Sequence, residues 1–528
     1  MESESTSLPK TNKFIGFLDR FGVYILALGA VILNVSLAFD NVVWGDEAYS
    51  QMAIRNCSLY GIYERTYYWD SHPPLYYYFL RLMADIFGYK TPVYHFASLI
   101  PFVLGIVLAC TFIKKKMGSL AAAFVVIISS LSASCVEYNL EIRMYSLVFF
   151  FVLMCCYYSY RIIEDGTKIS LWVLMTLFGV LAAYTHYFGL IFTGILLFVT
   201  SVFYALRHKG KSFLRGLICI VCYLLVYAPW LYVLYFQTQA ELASAWMTAP
   251  ESLSVVINFI MGGSRLKVVI LPFIILMSVI ILISESDIFV IKIQEDSKKT
   301  TLGLKKPSVK HWSLELKMLL LYWISSALML GFVYAVSFLF HPILAFRYTY
   351  VLIPAVLFIL AICIKKLVLF LKEGMAPWHS EDGRVILTPA HPVFWKRALI
   401  VLLTCMFLYV GVASLLDFKY FRSVTKTQDY QTGLVLDKVG DIPESTVLCS
   451  NGVKHLAWSV LPYYYPDNEV TMEDPQNIQG DPDEIWAFIG YEFDDDVIKE
   501  MEDRGYTVDS WMDMWLGKYG INLYHFYR

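Results

Sequence analysis

The chain has 528 residues, 58% of them hydrophobic and only 16% charged, with a mean hydropathy of +0.56. A soluble globular protein carries roughly a quarter charged residues, so this is an integral membrane protein with several spans. The formal net charge of -2 argues against a nucleic-acid partner, which would want a basic face. The cysteines fall mostly in apolar runs, where a thiol behaves as a small hydrophobe, and none has metal-type spacing.

Residues 1–20 are polar, with Lys10, Lys13 and Arg20 ahead of an apolar run at 21–39. No small-residue cleavage site leads from that run into a soluble chain, so it reads as a retained span, not a signal peptide. Spans need about 20 apolar residues. Further candidates lie near 92–113, 119–136, 143–160, 169–184, 187–206, 216–236, 267–285, 317–340, 348–364 and 398–416, which makes eleven. With a cytoplasmic N-terminus, the inner segments hold about 25 Lys and Arg against about 8 in the outer loops, a bias large enough to fix orientation. The chain is expected to be a multi-pass protein of the plasma membrane. Its first loop (41–91) and the junctions near 137–142, 184–187 and 341–347 lie outside.

The first outer loop, VWGDEAYSQMAIRNCSLYGIYERTYYWDSHPPLYYYFLR over 43–81, holds two chemical candidates. Asp46 and Glu47 could supply a general base, a metal ligand or a hydrogen-bond anchor; the blander alternative is a solvated pair at a helix start, where acids are favoured. Trp44, Tyr49, Tyr67, Tyr68 and Trp69 are expected beside them, and aromatic faces around acids suit a sugar ring. His72 precedes Pro73 and Pro74, which fix φ and can open a helix. It is either a capping group or a binder of metal or phosphate.

Three later junctions add groups on the same face. Glu137, Glu141 and Arg143 lie in VEYNLEIRMYSL, with the two acids four apart and so on one helix face; ionisable groups at membrane depth default to a functional role, with an ion pair inside the bundle as the alternative. His186 lies in YTHYFG. Arg347 follows His341-Pro342 and is almost alone at its depth, either snorkelling or clamping a phosphate. The predicted span interiors carry almost no charge, whereas a transporter would place binding groups near the midplane.

After about Leu416, short β-type runs alternate with helical ones. TVLCS (446–450) and EIWAFIG (484–490) read as strands, VIKEMEDRGY (497–506) as a helix and INLYHFYR (521–528) as a closing strand. Residues 417–528 are therefore expected to form a small extracytoplasmic α/β domain, with 21–416 as the membrane domain.

Together GDEAYS, SHPPLYYYFLRL, EIRMYSL, YTHYFGL and FRYTYVLIP resemble bacterial membrane glycosyltransferases of the GT-C fold, and within them the dolichyl-phosphate-mannose protein mannosyltransferase and aminoarabinose-transferase-like group of family 39. The resemblance covers roughly residues 20–365. It implies a polytopic α-helical fold and a polyprenyl-phosphate-linked sugar as donor. It places the catalytic role on Asp46, counts its motif neighbour Glu47 with it as catalytic, and gives substrate-binding roles to Glu141 and Arg143. Arg347 is the candidate phosphate clamp, and His72, Glu137, His186 and Trp69 are further substrate-binding candidates. One base suffices to activate an acceptor hydroxyl for inverting attack, because phosphate is already a good leaving group; a glycosidase needs two opposed carboxylates. The acceptor is a glycan, lipid or protein. A divalent metal on Asp46, Glu47 and His72 stays open. The competing reading is a lipid-linked sugar flippase or carrier, which needs no base.

Overall fold

The structure is a computed structural model that describes residues 16–39, 42–55, 57–208, 211–244, 249–286, 288–294, 299–304, 309–373, 377–380, 383–386 and 392–528. The expected cytoplasmic segment 1–20 lies mostly outside the described residues.

Among the described residues, nine helices are long and apolar enough to cross a membrane. With the one bent pair counted as a span the number is ten, against the eleven expected, and the two expected segments outside the nine take altered forms. Ser119–Leu131 and Ala133–Leu140 are bent by 62° at Ser132, whose ψ of 153° leaves the helical region. Ile169–Ala183 has 15 residues, about 22 Å of helix against a hydrocarbon core of about 30 Å. The bend has a consequence for chemistry, because it turns the helix Ala133–Leu140 and its Glu137 across the end of the bundle.

The helix Ile353–Glu373 is the central post of the bundle, with 89% of an 18-residue apolar stretch within Phe346–Lys372 buried. Arg347 stands at one end of it, in the 3-10 turn Phe346–Leu352. At the other end Lys365 bonds Glu315 at 2.5 Å and Lys366 pairs with Glu285 and Glu315. Charges this enclosed persist only when paired, so they pin three helix ends together. On the same side as these lysines, two loop segments form a four-stranded sheet: β1 (Phe289–Gln294), β2 (Lys299–Leu304), β3 (Pro377–Ser380) and β4 (Gly383–Ile386), in the order β2-β1-β3-β4.

The first loop is folded into three helices, α1 (Gly45–Ile54), α2 (Leu59–Trp69) and α3 (Leu75–Phe87). Ser58 caps α2 by accepting from the Gly61 N–H at 2.9 Å, and Pro74 opens α3, as proline does at a helix start. Tyr76, Leu80 and Ala84 recur four apart on α3 and pack with Ala53, Ile54, Ala97 and Ile142, so the loop is anchored by its own apolar core.

The last spanning helix, α4 (Pro392–Val439), runs unbroken through the expected domain boundary at 417 and carries the C-terminal domain on its far end. That domain is a five-stranded sheet of β5 (Val447–Cys449), β6 (Glu469–Thr471), β7 (Glu484–Ile489), β8 (Thr507–Leu516) and β9 (Tyr519–Tyr527), in the order β6-β5-β7-β9-β8. The helix α5 (Asp495–Asp503) packs on it. The strand β8 has no counterpart among the expected elements, because a bulge between Trp511 and Met514 breaks its alternation.

The C-terminal domain shares a core with the first loop. Val43 and Ala48 are buried with Val435, Leu448, Leu456, Val460 and Leu516. The β8–β9 turn fits against the loop so closely that a Cβ on Gly517 would stand 2.1 Å from the Val43 carbonyl oxygen, and Gly517 has φ +62°, where a side chain is strained. Gly517→Ala is expected to cost about 2 kcal/mol or more, read as a lower unfolding midpoint of the detergent-solubilised chain. An unchanged midpoint would show that this contact does not hold the domain down.

Candidate active site

The site begins at the N-terminus of α1. Trp44 is extended, with φ -108° and ψ 172°, so the chain turns into the helix with Asp46 and Glu47 in its first turn. The two acids then part company. Glu47 is 3% exposed. It accepts from the Trp44 N–H at 3.3 Å and from the Ile142 N–H at 3.0 Å, one bond to each oxygen, and so ties the first loop to the second. Asp46 keeps a one-fifth exposed carboxylate, with Arg143 Nε 3.9 Å and Arg347 Nη1 3.7 Å from its Oδ2. These distances allow Coulomb attraction but exceed hydrogen-bond length.

Arg143 is buried beneath Asp46. It donates to the Tyr77 hydroxyl at 2.9 Å and to Ser50 at 3.4 Å. Tyr77 in turn donates to Asp70, which also accepts from the Ser71 N–H at 2.7 Å and from His72 Nδ1 at 2.8 Å. Burial would raise the Asp70 carboxyl, but His72, then Arg143 and Tyr77, outweigh it and hold it at about 2. Asp70 is therefore a fixed anion that orients the His72 ring. It is absent from the sequence-based candidates, although it sits two residues before His72.

His186 lies on the other side of His72, with ring centroids 5.2 Å apart. Its Nδ1 accepts from the Phe188 N–H at 3.0 Å, which leaves the proton on Nε2. Burial, and after it the nearby His72, Arg143 and Arg347, push its pKa far below the usual histidine range, so His186 is a neutral donor. Glu141 accepts from the Trp44 indole N–H at 3.1 Å. Burial raises its carboxyl to about 8; Lys518 lowers it, while Glu47, Glu137 and Asp46 raise it. It is a protonated acid at neutral pH.

Arg143 Nε, Arg347 Nε, His186 Nε2, the Tyr145 hydroxyl and Glu141 Oε2 are all buried without a hydrogen-bond partner among the described residues. An orphaned buried polar group costs about 1–3 kcal/mol and calls for an explanation. Three of these five are N–H donors, two of them on guanidinium groups beside Asp46, so the arrangement suits an oxyanion whose oxygens would take those bonds.

Of the sequence-based candidates, Asp46, Glu47, His72, Glu141, Arg143, His186 and Arg347 come together here. Glu137 stands at the rim, bonded to Lys518 at 2.9 Å. Trp69 does not join them: it ends α2 at 80% exposure. Tyr67 and Tyr68 pack on Phe236, with centroids 5.2 and 6.0 Å away. The aromatic ring over the acids is Trp44, with Arg347 and Lys518 5.7 and 5.5 Å from its centroid, a cation–π arrangement. Among the described residues no three His, Cys, Asp or Glu side chains gather as a metal site. Glu47 takes a backbone N–H on each oxygen, and His72 gives Nδ1 to Asp70, an arrangement in which a histidine offers a ligand its Nε2. A separate cleft of about 610 Å³, lined by Arg55, Lys90, Tyr94 and Tyr463 among others, opens near the far end of α1.

A helical bundle, an acid-bearing helical loop at one end and an α/β domain docked on that loop make up the GT-C fold, in a multi-pass membrane protein. The comparisons agree on that architecture. Residues 71–233 match the family model for dolichyl-phosphate-mannose-protein mannosyltransferase. The structure is similar to that of ArnT from Cupriavidus metallidurans bound to undecaprenyl phosphate, with a TM-score of 0.54 at 13% identity, covering 96% of this chain and 98% of that one. It is also similar to the apo state of ArnT from the same organism, with a TM-score of 0.51, 12% identity and the same coverage. No curated protein sequence matches the chain.

Proposed function

We propose that the chain is an inverting glycosyltransferase that moves a sugar from a polyprenyl-phosphate donor to an acceptor hydroxyl, with Asp46 as general base. The carrying observation is the set of orphaned donors around Asp46, on Arg143, Arg347 and His186. The two guanidinium groups would clamp the donor phosphate and stabilise it as it leaves, and His186 would add a neutral hydrogen bond. Asp46, the more exposed acid, takes the acceptor proton as the hydroxyl attacks the anomeric carbon; the sugar–phosphate bond breaks and the electron pair leaves with the lipid phosphate. Glu47, with both oxygens engaged, is a positioning residue in this scheme. Neutral Glu141 can donate from Oε2 to a sugar or acceptor oxygen. The lysine-rich connections lie at the opposite end of the bundle, so the positive-inside rule supports an outward-facing site and C-terminal domain, served by a lipid-linked donor.

The test is reconstitution of the purified chain in vesicles with polyprenyl-phosphate-linked sugars and envelope glycan, lipid and protein fractions. Transfer releases free polyprenyl phosphate in step with acceptor labelling. A flippase would move the donor across the bilayer and release none, and that result would overturn the proposal.

A further inference from the structure

The C-terminal domain reaches the first turn of α1 through the β8–β9 turn, with His455 packed beside it against Gly45. Lys518 Nζ bonds Glu137 Oε1 at 2.9 Å and stands 5.5 Å from the centre of the Trp44 ring. Trp44 in turn donates to Glu141. The adjacent Tyr519 hydroxyl accepts from the Gly45 N–H at 3.1 Å, the amide immediately before Asp46, and its ring stacks on His455. Gly45 has no room for a side chain, because a Cβ there would stand 2.8 Å from the Tyr519 hydroxyl. Two consecutive residues, 381 positions from Glu137 in the case of Lys518, thus grip the segment that aims Asp46.

From this geometry we infer that Lys518 and Tyr519 are positioning residues of the transfer site, so that the C-terminal domain completes the site by docking its β8–β9 turn. The inference rests on the reading of Asp46 as the base. Tyr519 supplies an acceptor for an N–H at the helix N-terminus, where the first amides have no partner within the helix. Lys518 holds Glu137 and the Trp44 ring, and through Trp44 the carboxyl of Glu141. A misplacement of about 1 Å in a reacting group can cost about 10²-fold in rate.

Lys518 also adds positive charge to an acid-rich corner. Glu141 is faced by Asp46 and Glu47 from α1, by Glu137 and Tyr138 from the bent helix, by Lys518 from the turn, by Arg347 and Tyr350 from the 3-10 turn, and by Tyr76 and Tyr145. Lys518 lowers the Glu141 carboxyl whereas the acids raise it, so loss of the lysine moves that titration upward.

The experiment compares Lys518→Met, Lys518→Arg and Tyr519→Phe with the wild-type full chain in transfer kinetics across pH 6–10, together with the unfolding midpoint. Expected are a kcat for Lys518→Met lower by about 10²-fold with donor KM little changed, an alkaline limb displaced to higher pH, and recovery of both in Lys518→Arg. Tyr519→Phe is expected to lose kcat without moving the limb. Wild-type kcat and pH profile in both Lys518→Met and Tyr519→Phe would overturn the inference. So would a loss explained wholly by a smaller folded fraction, with activity per folded molecule unchanged. No transfer by the wild-type chain would overturn the transferase reading and this inference with it; wild-type transfer with indifferent variants overturns this inference alone.

Discussion

Asp46→Asn is expected to remove sugar transfer almost entirely, lowering kcat by about 10²–10⁴-fold, the range general-base groups supply, while the chain stays folded. The substitution keeps the shape of the side chain and removes only its charge and basicity. Its two ion pairs, at 3.7 and 3.9 Å, are too long to be hydrogen bonds, and buried Arg143 keeps Asp70 as a countercharge, so the variant is expected to stay folded with a modestly lower unfolding midpoint. The same change takes a negative charge away from between Arg143 and Arg347, the groups proposed to clamp the donor phosphate. Binding of polyprenyl phosphate should therefore hold or tighten as transfer disappears. Two measurements settle it: single-turnover transfer, and equilibrium binding of polyprenyl phosphate to the detergent-solubilised variant. A variant that transfers at the wild-type rate removes Asp46 from the role of base. One that loses both transfer and lipid binding makes Asp46 part of the binding geometry instead.

Glu47→Gln separates the neighbouring acid from that role. Glu47 accepts two backbone N–H bonds, and glutamine can accept through only one of its two terminal atoms. One N–H is then left facing an NH2 group, at a cost of about 1–3 kcal/mol. The loss should appear first as a lower unfolding midpoint; a transfer defect as deep as that of Asp46→Asn at full stability would give Glu47 a share in the chemistry.

The membrane helices were legible because lipid leaves a spanning backbone few options, and hydropathy therefore reports them almost directly. Asp46 was legible for a related reason: an acid just after an apolar run is conspicuous. What Glu47 does was not, since its partner is the N–H of Ile142, 95 residues further on. Asp70 was hidden by its setting, an acid among tyrosines in a loop that reads as surface until α3 buries it. Trp69 is expected beside Asp46 and Glu47 as one of the loop's aromatics, but it ends α2 at 80% exposure, because an aromatic-rich loop does not reveal which ring its helices turn inward. Lys518 carried no signal, since its role exists only when a hairpin of one domain meets a loop of another. The strands β1 to β4 went unmarked because short alternating runs between membrane helices read as ordinary polar connections.

Arg143→Met and Arg347→Met should fail in different ways, which tests whether the two guanidinium groups divide support from substrate binding. Arg143 is 4% exposed and serves Tyr77 and Ser50 by hydrogen bonds and Asp46 by charge. Removing a buried charge from such a network leaves its partners uncompensated, at about 3–5 kcal/mol. Part of that loss is pH-dependent. Asp70 is held at about 2 in the folded chain, below its ordinary value near 4, so its contribution is present above pH 4 and lost as pH falls through 2. Without Arg143 the Asp70 carboxyl moves upward, so the stability gap between variant and wild type should be widest at neutral pH and narrow towards pH 2. Arg347 is one-quarter exposed, with one long ion pair to Asp46 and a cation–π contact to Trp44, and its loss should cost only about 1 kcal/mol. A charge-assisted hydrogen bond to the lipid phosphate is worth about 1.5–3 kcal/mol, so Arg347→Met should bind polyprenyl phosphate about 10- to 100-fold more weakly while remaining folded. Unfolding midpoints at pH 7 and pH 3 and a polyprenyl phosphate titration read both. If Arg143→Met is as stable as the wild type at pH 7, the buried network is not what holds the loops together. If Arg347→Met binds the lipid phosphate normally, the clamp belongs to other residues, and His186 is the next donor to remove.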